Sequence, residues 1–203
     1  QKEGRPPHYT GRWRHEEHFA EAANRLAAGE KAAIRFKAPQ KPYVLQDSVR
    51  GRIVFPQGMV GDFVILRSSG LPVYNFCVVI DDMLMKISHV IRGEDHVNNT
   101  VRQLMIYEAF GAKPPEFSHV SLLIGQDRQK LSKRHGATSV NLYREESYLP
   151  QALANYLCLL GWSHPDEQEI FNLDDLEEAF DTKRFSKSAA VYDLVKLKWV
   201  NGM

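Results

Sequence analysis

The stretch from residue 87 to residue 124 limits this chain to few architectures. Residues 87–92 read as a short strand that closes on Arg92-Gly93-Glu94-Asp95-His96. Asn98-Asn99-Thr100 followed by Gln103 predicts an N-cap and a capping box, opening a helix that offers Val101, Leu104, Met105 and Phe110 to a core. Gly111 and Pro114-Pro115 end that helix, and the β-branched and aromatic residues at 117–124 predict a second strand. Parallel strands need a crossover, so strand, helix and strand in this order predict one βαβ half of a doubly wound α/β sheet. In such sheets ligand groups gather where strands end and helices begin, which is where Arg92-Gly93-Glu94-Asp95-His96 falls.

Behind the second strand, Gly125, Gln126 and Asp127 are followed by Arg128 and then Lys130-Leu131-Ser132-Lys133-Arg134. That density of donors suits a polyanion such as a triphosphate, and two lysines three apart around a serine can converge on one phosphate. Where a phosphoryl centre gains charge in the transition state, catalysis is largely positioning and charge stabilisation, which ammonium groups on a loop can supply. Composition alone favours an ordinary solvated turn.

The remaining segments frame these two. Residues 1–15 form a basic irregular entry, and residues 16–28 read as a helix with Phe19, Ala22, Ala23 and Leu26 on its core side and Gly29 as its stop. Strands are expected at 32–37, 49–55 and 62–67, so that residues 1–72 make a small α+β region. Residues 73–85 are strongly apolar, and periodicity does not decide between helix and strand. After residue 141 the pattern turns helical: Pro150 at a first helical position before the apolar residues 152–160, Asn172 capping 173–180, and a last helix beginning at Ser186 or Ser188 with Val191, Leu194, Val195 and Trp199 near helical spacing.

Twenty-six basic against 25 acidic residues leave a net charge of +1, so any nucleic-acid surface must be local. Cys77 and Cys158 lie in apolar runs and read as reduced thiols, which fits a cytoplasmic protein. No apolar run reaches the roughly 18–20 residues of a membrane span. His8, His15 and His18 match no zinc spacing, and no cysteine accompanies them.

Several ordered blocks carry a family resemblance. Lys130-Leu131-Ser132-Lys133-Arg134 resembles the KMSKS signature of class I aminoacyl-tRNA synthetases, in the form typical of the glutamyl and glutaminyl enzymes. Gly70-Leu71-Pro72-Val73-Tyr74-Asn75-Phe76-Cys77-Val78, Val90-Ile91-Arg92-Gly93-Glu94-Asp95-His96 and Tyr148-Leu149-Pro150-Gln151-Ala152-Leu153 resemble the glutamyl members. Residues 1–69 match more weakly, through Gly4-Arg5-Pro6-Pro7 and Arg50-Gly51. The resemblance implies three parts: a connective insertion that binds the acceptor stem (1–72), the second half of a Rossmann-like catalytic domain (73–140) and a helical stem-contact region (141–203).

It also implies ATP-dependent attachment of glutamate to tRNA through glutamyl-adenylate, with ATP carrying Mg2+, no zinc, tRNA(Glu) as the acceptor and tRNA(Gln) left open as a second, no membrane, and a monomer. By resemblance, Tyr74, Asn75, Val78 and Arg92 meet glutamate, Val78 standing where some members carry asparagine. Asp95, Lys130, Leu131, Ser132, Lys133 and Arg134 meet ATP, with Lys130 and Lys133 as the catalytic lysines and the backbone around Leu131 at the adenine. No His-x-Gly-His signature occurs in these residues, and no anticodon-binding region follows, so the expectation is that the 203 residues alone form no adenylate. Two other readings are a paralogue that activates glutamate for a queuosine base and a non-catalytic tRNA-binding fragment.

Overall fold

The computed structural model describes Tyr9, residues 11–131 and residues 139–203. The chain divides into two compact units. The first takes the described residues up to Leu45 with Arg52–His89 and Val97–Glu116; the second takes Gln46–Gly51, Val90–His96 and the described residues from Phe117 onward.

In the first unit, helix α1 (Phe19–Ala27) follows a 3₁₀ turn at Glu16–His18 and stops where Gly29 adopts φ 86°. Its apolar side is not core: Phe19 and Leu26 are exposed, and the helix has no buried residue. Amphipathic spacing specifies a face, but burial needs a partner element, and this unit lays none over that face among the described residues. Strand β1 (Ile34–Phe36) pairs antiparallel with β4 (Phe63–Leu66), stacking Phe36 on Phe63. The apolar run left open by periodicity is helix α2 (Tyr74–Leu84). It packs on α3 (Val97–Ala109), and Val79, Val101, Met105, Ile106 and Tyr107 are buried.

The start of α3 corrects the expected cap. A 3₁₀ turn at Glu94–His96 runs directly into the helix, so Asn98, Asn99 and Thr100 lie inside it. Gln103 lies in the second turn of the helix, and its buried amide donates to Asn75 Oδ1 at 3.1 Å.

Strands β2 (Tyr43–Asp47), β3 (Gly51–Phe55), β5 (His89–Gly93) and β6 (Glu116–Val120) form a four-stranded sheet in the order β3-β2-β6-β5. Helix α3 connects the neighbours β5 and β6, as the strand-helix-strand reading requires. Strand β2 is an addition to the sequence reading, which takes Pro39 and Pro42 as an end and assigns nothing to the alternating Tyr43, Leu45 and Asp47, all buried. It runs parallel to β6, with Asp47 opposite Phe117.

The expected strand at 117–124 is two strands. β6 stops at Val120, and β7 (Leu123–Ile124) joins a different sheet, parallel to β8 (Ala190–Val191). Ser121 sits at the switch, its hydroxyl donating to the Ser186 carbonyl at 2.9 Å.

Helices α4 (Val140–Glu145), α5 (Pro150–Leu159), α6 (Leu173–Ala179) and α7 (Leu194–Gly202) complete the second unit. Pro150 opens α5, and Asn172 caps α6 in a reciprocal box with Asp175. The last helix starts later than expected. Asp193 caps it by accepting from the backbone of Val195 and Lys196, while the Ser186 hydroxyl accepts the Ser188 N–H in a local turn. Its core residues are therefore Leu197 and Val200, and Val195 is exposed. They join Tyr143, Ala152, Leu153, Tyr156, Leu160 and Tyr192 in one cluster, with Leu123 and Leu131 packed against it. Cys77 and Cys158 are half-buried free thiols.

Candidate active site

The second unit brings Arg92, Asp95, Lys130 and Leu131 into one neighbourhood of strand ends. Strand β5 delivers Arg92 as its penultimate residue, and Asp95 follows in the 3₁₀ turn. A Cβ on Gly93, between them, would lie 2.6 Å from Asp95 Oδ1, so a side chain there would have to displace the Asp95 carboxylate. Lys130 is placed by a short hairpin. Gly125 N–H donates to the Gln129 carbonyl, Leu131 N–H donates to the Leu123 carbonyl, and Arg128 turns the corner at φ 60°. Leu131 then anchors this segment on the helical core.

Lys130 Nζ donates to Asp95 Oδ2 at 2.7 Å, with 63% of the lysine side chain and 38% of the aspartate side chain exposed. That hydrogen bond holds the Asp95 carboxyl below its ordinary range despite some desolvation. Two residues predicted for the nucleotide, one from each side of β6 in sequence, thus meet. Ser132, Lys133 and Arg134 lie outside the described residues.

Arg92 occupies a stiffer setting. Its Nε donates to His119 Nε2 at 3.2 Å, and its guanidinium lies 5.2 Å from the centroid of the Phe117 ring. His119 is fully buried in β6, and its Nδ1 sits 2.6 Å from Asp47 Oδ2. Asp47 also accepts the backbone N–H groups of Val49, Arg50 and His119 at 2.8–3.2 Å. Burial works against the Asp47 carboxylate. The N–H of Arg50, the His119 ring and the other amides outweigh it and hold the group below its ordinary range. Burial likewise lowers His119, more strongly than Asp47 raises it, which favours the neutral ring. A neutral ring that accepts at Nε2 carries its proton on Nδ1, toward Asp47.

The acidic residues beside Arg92 have other partners. Glu94 pairs with Arg50 at 2.8 Å and accepts from Leu122 N–H, and Asp95 holds Lys130. Arg50 also reaches the carbonyls of His119 and Lys187 and the hydroxyl of Ser121, tying the hairpin turn at 47–51 to the end of β6.

The other residues expected at glutamate belong to the first unit. Tyr74 opens α2 and is half exposed, Asn75 accepts from Gln103, and Val78 lies one turn beyond Tyr74 on the same helix face. Sequence reasoning misses Asp47, His119 and, as a clamp, Arg50. The one available signal is a histidine inside the apolar run Phe117-Ser118-His119-Val120, since a histidine fully buried in a strand needs polar partners. Among the described residues no group of three or more histidine, cysteine or acidic side chains is arranged to hold a metal, and no helix is long and apolar enough to cross a membrane.

The chain resembles known proteins along nearly its whole length. Residues 1–199 match the family model described as tRNA synthetases class I (E and Q), catalytic domain. The glutamate–tRNA ligase of Heliobacterium modesticaldum is 53% identical over 203 residues, covering all of this chain and 41% of the relative. That of Aquifex aeolicus is 51% identical over 204 residues, again covering all of this chain and 43% of the relative. A crystal structure of a glutamate tRNA ligase from Elizabethkingia meningosepticum, in complex with its amino acid, superposes with a TM-score of 0.85 at 34% identity over 95% of this chain and 43% of its own. The chain thus spans about two fifths of the length of these relatives. With an α/β fold of the class I synthetase kind and a family match along nearly its whole length, the chain belongs to the class I tRNA synthetases of the glutamyl and glutaminyl type.

Proposed function

We propose that this chain supplies the second half of the glutamate-activating centre of a glutamate–tRNA ligase. Residues 1–72 act as the acceptor-stem insertion, residues 73–140 as half of the catalytic domain and residues 141–203 as the stem-contact region. An oxygen of the glutamate α-carboxylate attacks the α-phosphorus of ATP, which arrives as its Mg2+ complex. The bond from that phosphorus to the bridging oxygen breaks, and pyrophosphate leaves. A terminal ribose hydroxyl of tRNA(Glu) then attacks the acyl carbon of glutamyl-adenylate, AMP departs and the hydroxyl proton is lost.

In this reading Arg92 forks onto a carboxylate of glutamate, and Tyr74 donates its hydroxyl to the amino acid, with Asn75 and Val78 as further contacts. Asp95 meets the nucleotide, and Lys130 and Lys133 stabilise the phosphates, with Ser132 and Arg134 beside them and the Leu131 backbone at the adenine. The enzyme works in the cytoplasm as a monomer, and tRNA(Gln) is a second acceptor to be tried in the same assay.

The observation that carries the reading is Lys130 seated on Asp95 at the end of β5, three residues after Arg92. Glutamate-dependent exchange of pyrophosphate into ATP, run with tRNA present, tests it, using the chain extended at its N terminus. Lys133→Ala is expected to slow exchange about 100-fold or more, and Arg92→Ala to raise the KM for glutamate. Exchange that survives both substitutions unchanged sinks the site assignment, and exchange driven by another amino acid sinks the substrate.

A further inference from the structure

Arg92 is the proposed glutamate contact whose side chain is held by a chain of buried polar groups, and that chain has a direction. Asp47 has acceptor oxygens only, and the N–H groups of Val49 and Arg50 bind one of them. The other oxygen faces His119 Nδ1 at 2.6 Å, with both side chains fully buried. The carboxylate therefore dictates the tautomer, with the proton on Nδ1 and the lone pair on Nε2. That lone pair meets Arg92 Nε–H at 3.2 Å. Phe117, itself buried, stacks on the His119 ring and underlies the guanidinium, fixing both planes.

We propose that Asp47 and His119 are positioning residues for Arg92, setting the plane and the direction in which its guanidinium meets the substrate carboxylate. The inference rests on the reading that Arg92 binds glutamate, and it adds a consequence for recognition. With Nε–H committed to His119, a carboxylate meets Arg92 end-on through the two terminal nitrogens. The carboxylate taken here is the side-chain one, the group that glutamate and glutamine do not share: two acceptor oxygens fit that edge, the single oxygen of a carboxamide does not, and its NH2 group would face donors. The Asp47–His119 pair thereby favours glutamate over glutamine without touching either.

Asp47→Asn provides the sharpest test. Its Oδ1 can keep the amides of Val49 and Arg50, but its NH2 then points at His119 Nδ1, which must become an acceptor. The proton moves to Nε2 and faces Arg92 Nε–H, the same wrong-tautomer logic that disables an aspartate-to-asparagine serine protease triad. In the N-terminally extended chain, the KM for glutamate should rise about 10- to 100-fold while the KM for ATP stays near its starting value. His119→Asn, whose amide reproduces only the Nδ1 donor, should do the same. His119→Gln, whose amide oxygen reproduces the Nε2 acceptor, should recover most of the loss. Nitrogen-15 NMR of the unaltered extended chain at neutral pH should show His119 as the Nδ1–H tautomer. An Nε2–H ring or an imidazolium there overturns the proposal, and so does an unchanged glutamate KM in Asp47→Asn and His119→Asn when Arg92→Ala raises it. If Arg92→Ala itself leaves the glutamate KM unchanged, the glutamate reading of Arg92 fails instead.

Discussion

Two carboxylates in the second unit each sit against a nitrogen donor at nearly the same distance, and their surroundings make them different devices. Asp47 and His119 are 2.6 Å apart with neither side chain exposed; Asp95 and Lys130 are 2.7 Å apart with 38% and 63% of the side chains exposed. In the first pair every oxygen of the carboxylate is engaged by backbone or ring N–H groups, and water cannot replace them. In the second, water and salt compete for both partners, so the ion pair is cheap to open. Proximity therefore does not rank the two. The buried pair is built to stay and to hold Arg92, whereas the exposed pair holds its lysine loosely, as the proposed exchange of its carboxylate for a phosphate requires.

Breaking the buried pair should have the largest effect. Asp47→Ala strands the N–H groups of Val49, Arg50 and His119 together with the His119 ring donor, and about 3 kcal/mol of stability should be lost, read from the urea unfolding midpoint of the chain. Asp95→Ala, measured alongside, should move the same midpoint little. Equal shifts in the two variants would remove the distinction between the pairs.

Arg92, Asp95 and Lys130 stand in recognisable blocks, and the strand and turn chemistry around them places them at strand ends without tertiary information. The cap of α6 at Asn172 and the start of α5 at Pro150 are local as well, so they are legible. Asp47 and His119 are 72 residues apart and meet only because β2 lies beside β6. Pairing of that kind leaves no local mark, and β2 hides behind Pro42. The false cap at Asn98-Asn99-Thr100 fails for a related reason: local chemistry permits it, but the 3₁₀ turn that carries Asp95 has already started the helix. The start of α7 fails because Ser186 and Asp193 are both competent caps and the pairing of β8 decides between them.

Acid should sharpen the comparison at an intermediate level. Burial keeps His119 below its ordinary 6.5, so the folded chain favours the neutral ring. As pH falls below 6.5, the unfolded chain binds a proton that the folded chain refuses, and stability declines until the lower folded value is reached. Asp47, held below its ordinary 3.8, adds a second loss at more acid pH, because its stabilisation is present above that value and disappears as pH drops toward the folded one. Urea midpoints measured from pH 8 to pH 4 should therefore fall below about 6.5 in the unaltered chain. His119→Gln should flatten this first decline. A decline of the same size in His119→Gln would assign it to other groups.

The exposed pair should give the smallest structural effect. Lys130→Ala removes one partner of a solvated ion pair and leaves Asp95 in water, so unfolding should change by no more than about 0.5 kcal/mol. Raising the salt concentration should shift the unaltered chain and Lys130→Ala together, because screening has already weakened the contact. The functional cost is expected elsewhere. In the N-terminally extended chain the KM for ATP should rise about tenfold, because the ammonium is lost from the phosphates. Those two outcomes together would make Lys130 a group whose resting contact contributes little and whose proposed contact with nucleotide contributes much, the reverse of His119. A loss above about 1 kcal/mol in Lys130→Ala would mean that its bond to Asp95 is structural. The end of β5 would then have to release a fixed side chain before a phosphate could take its place.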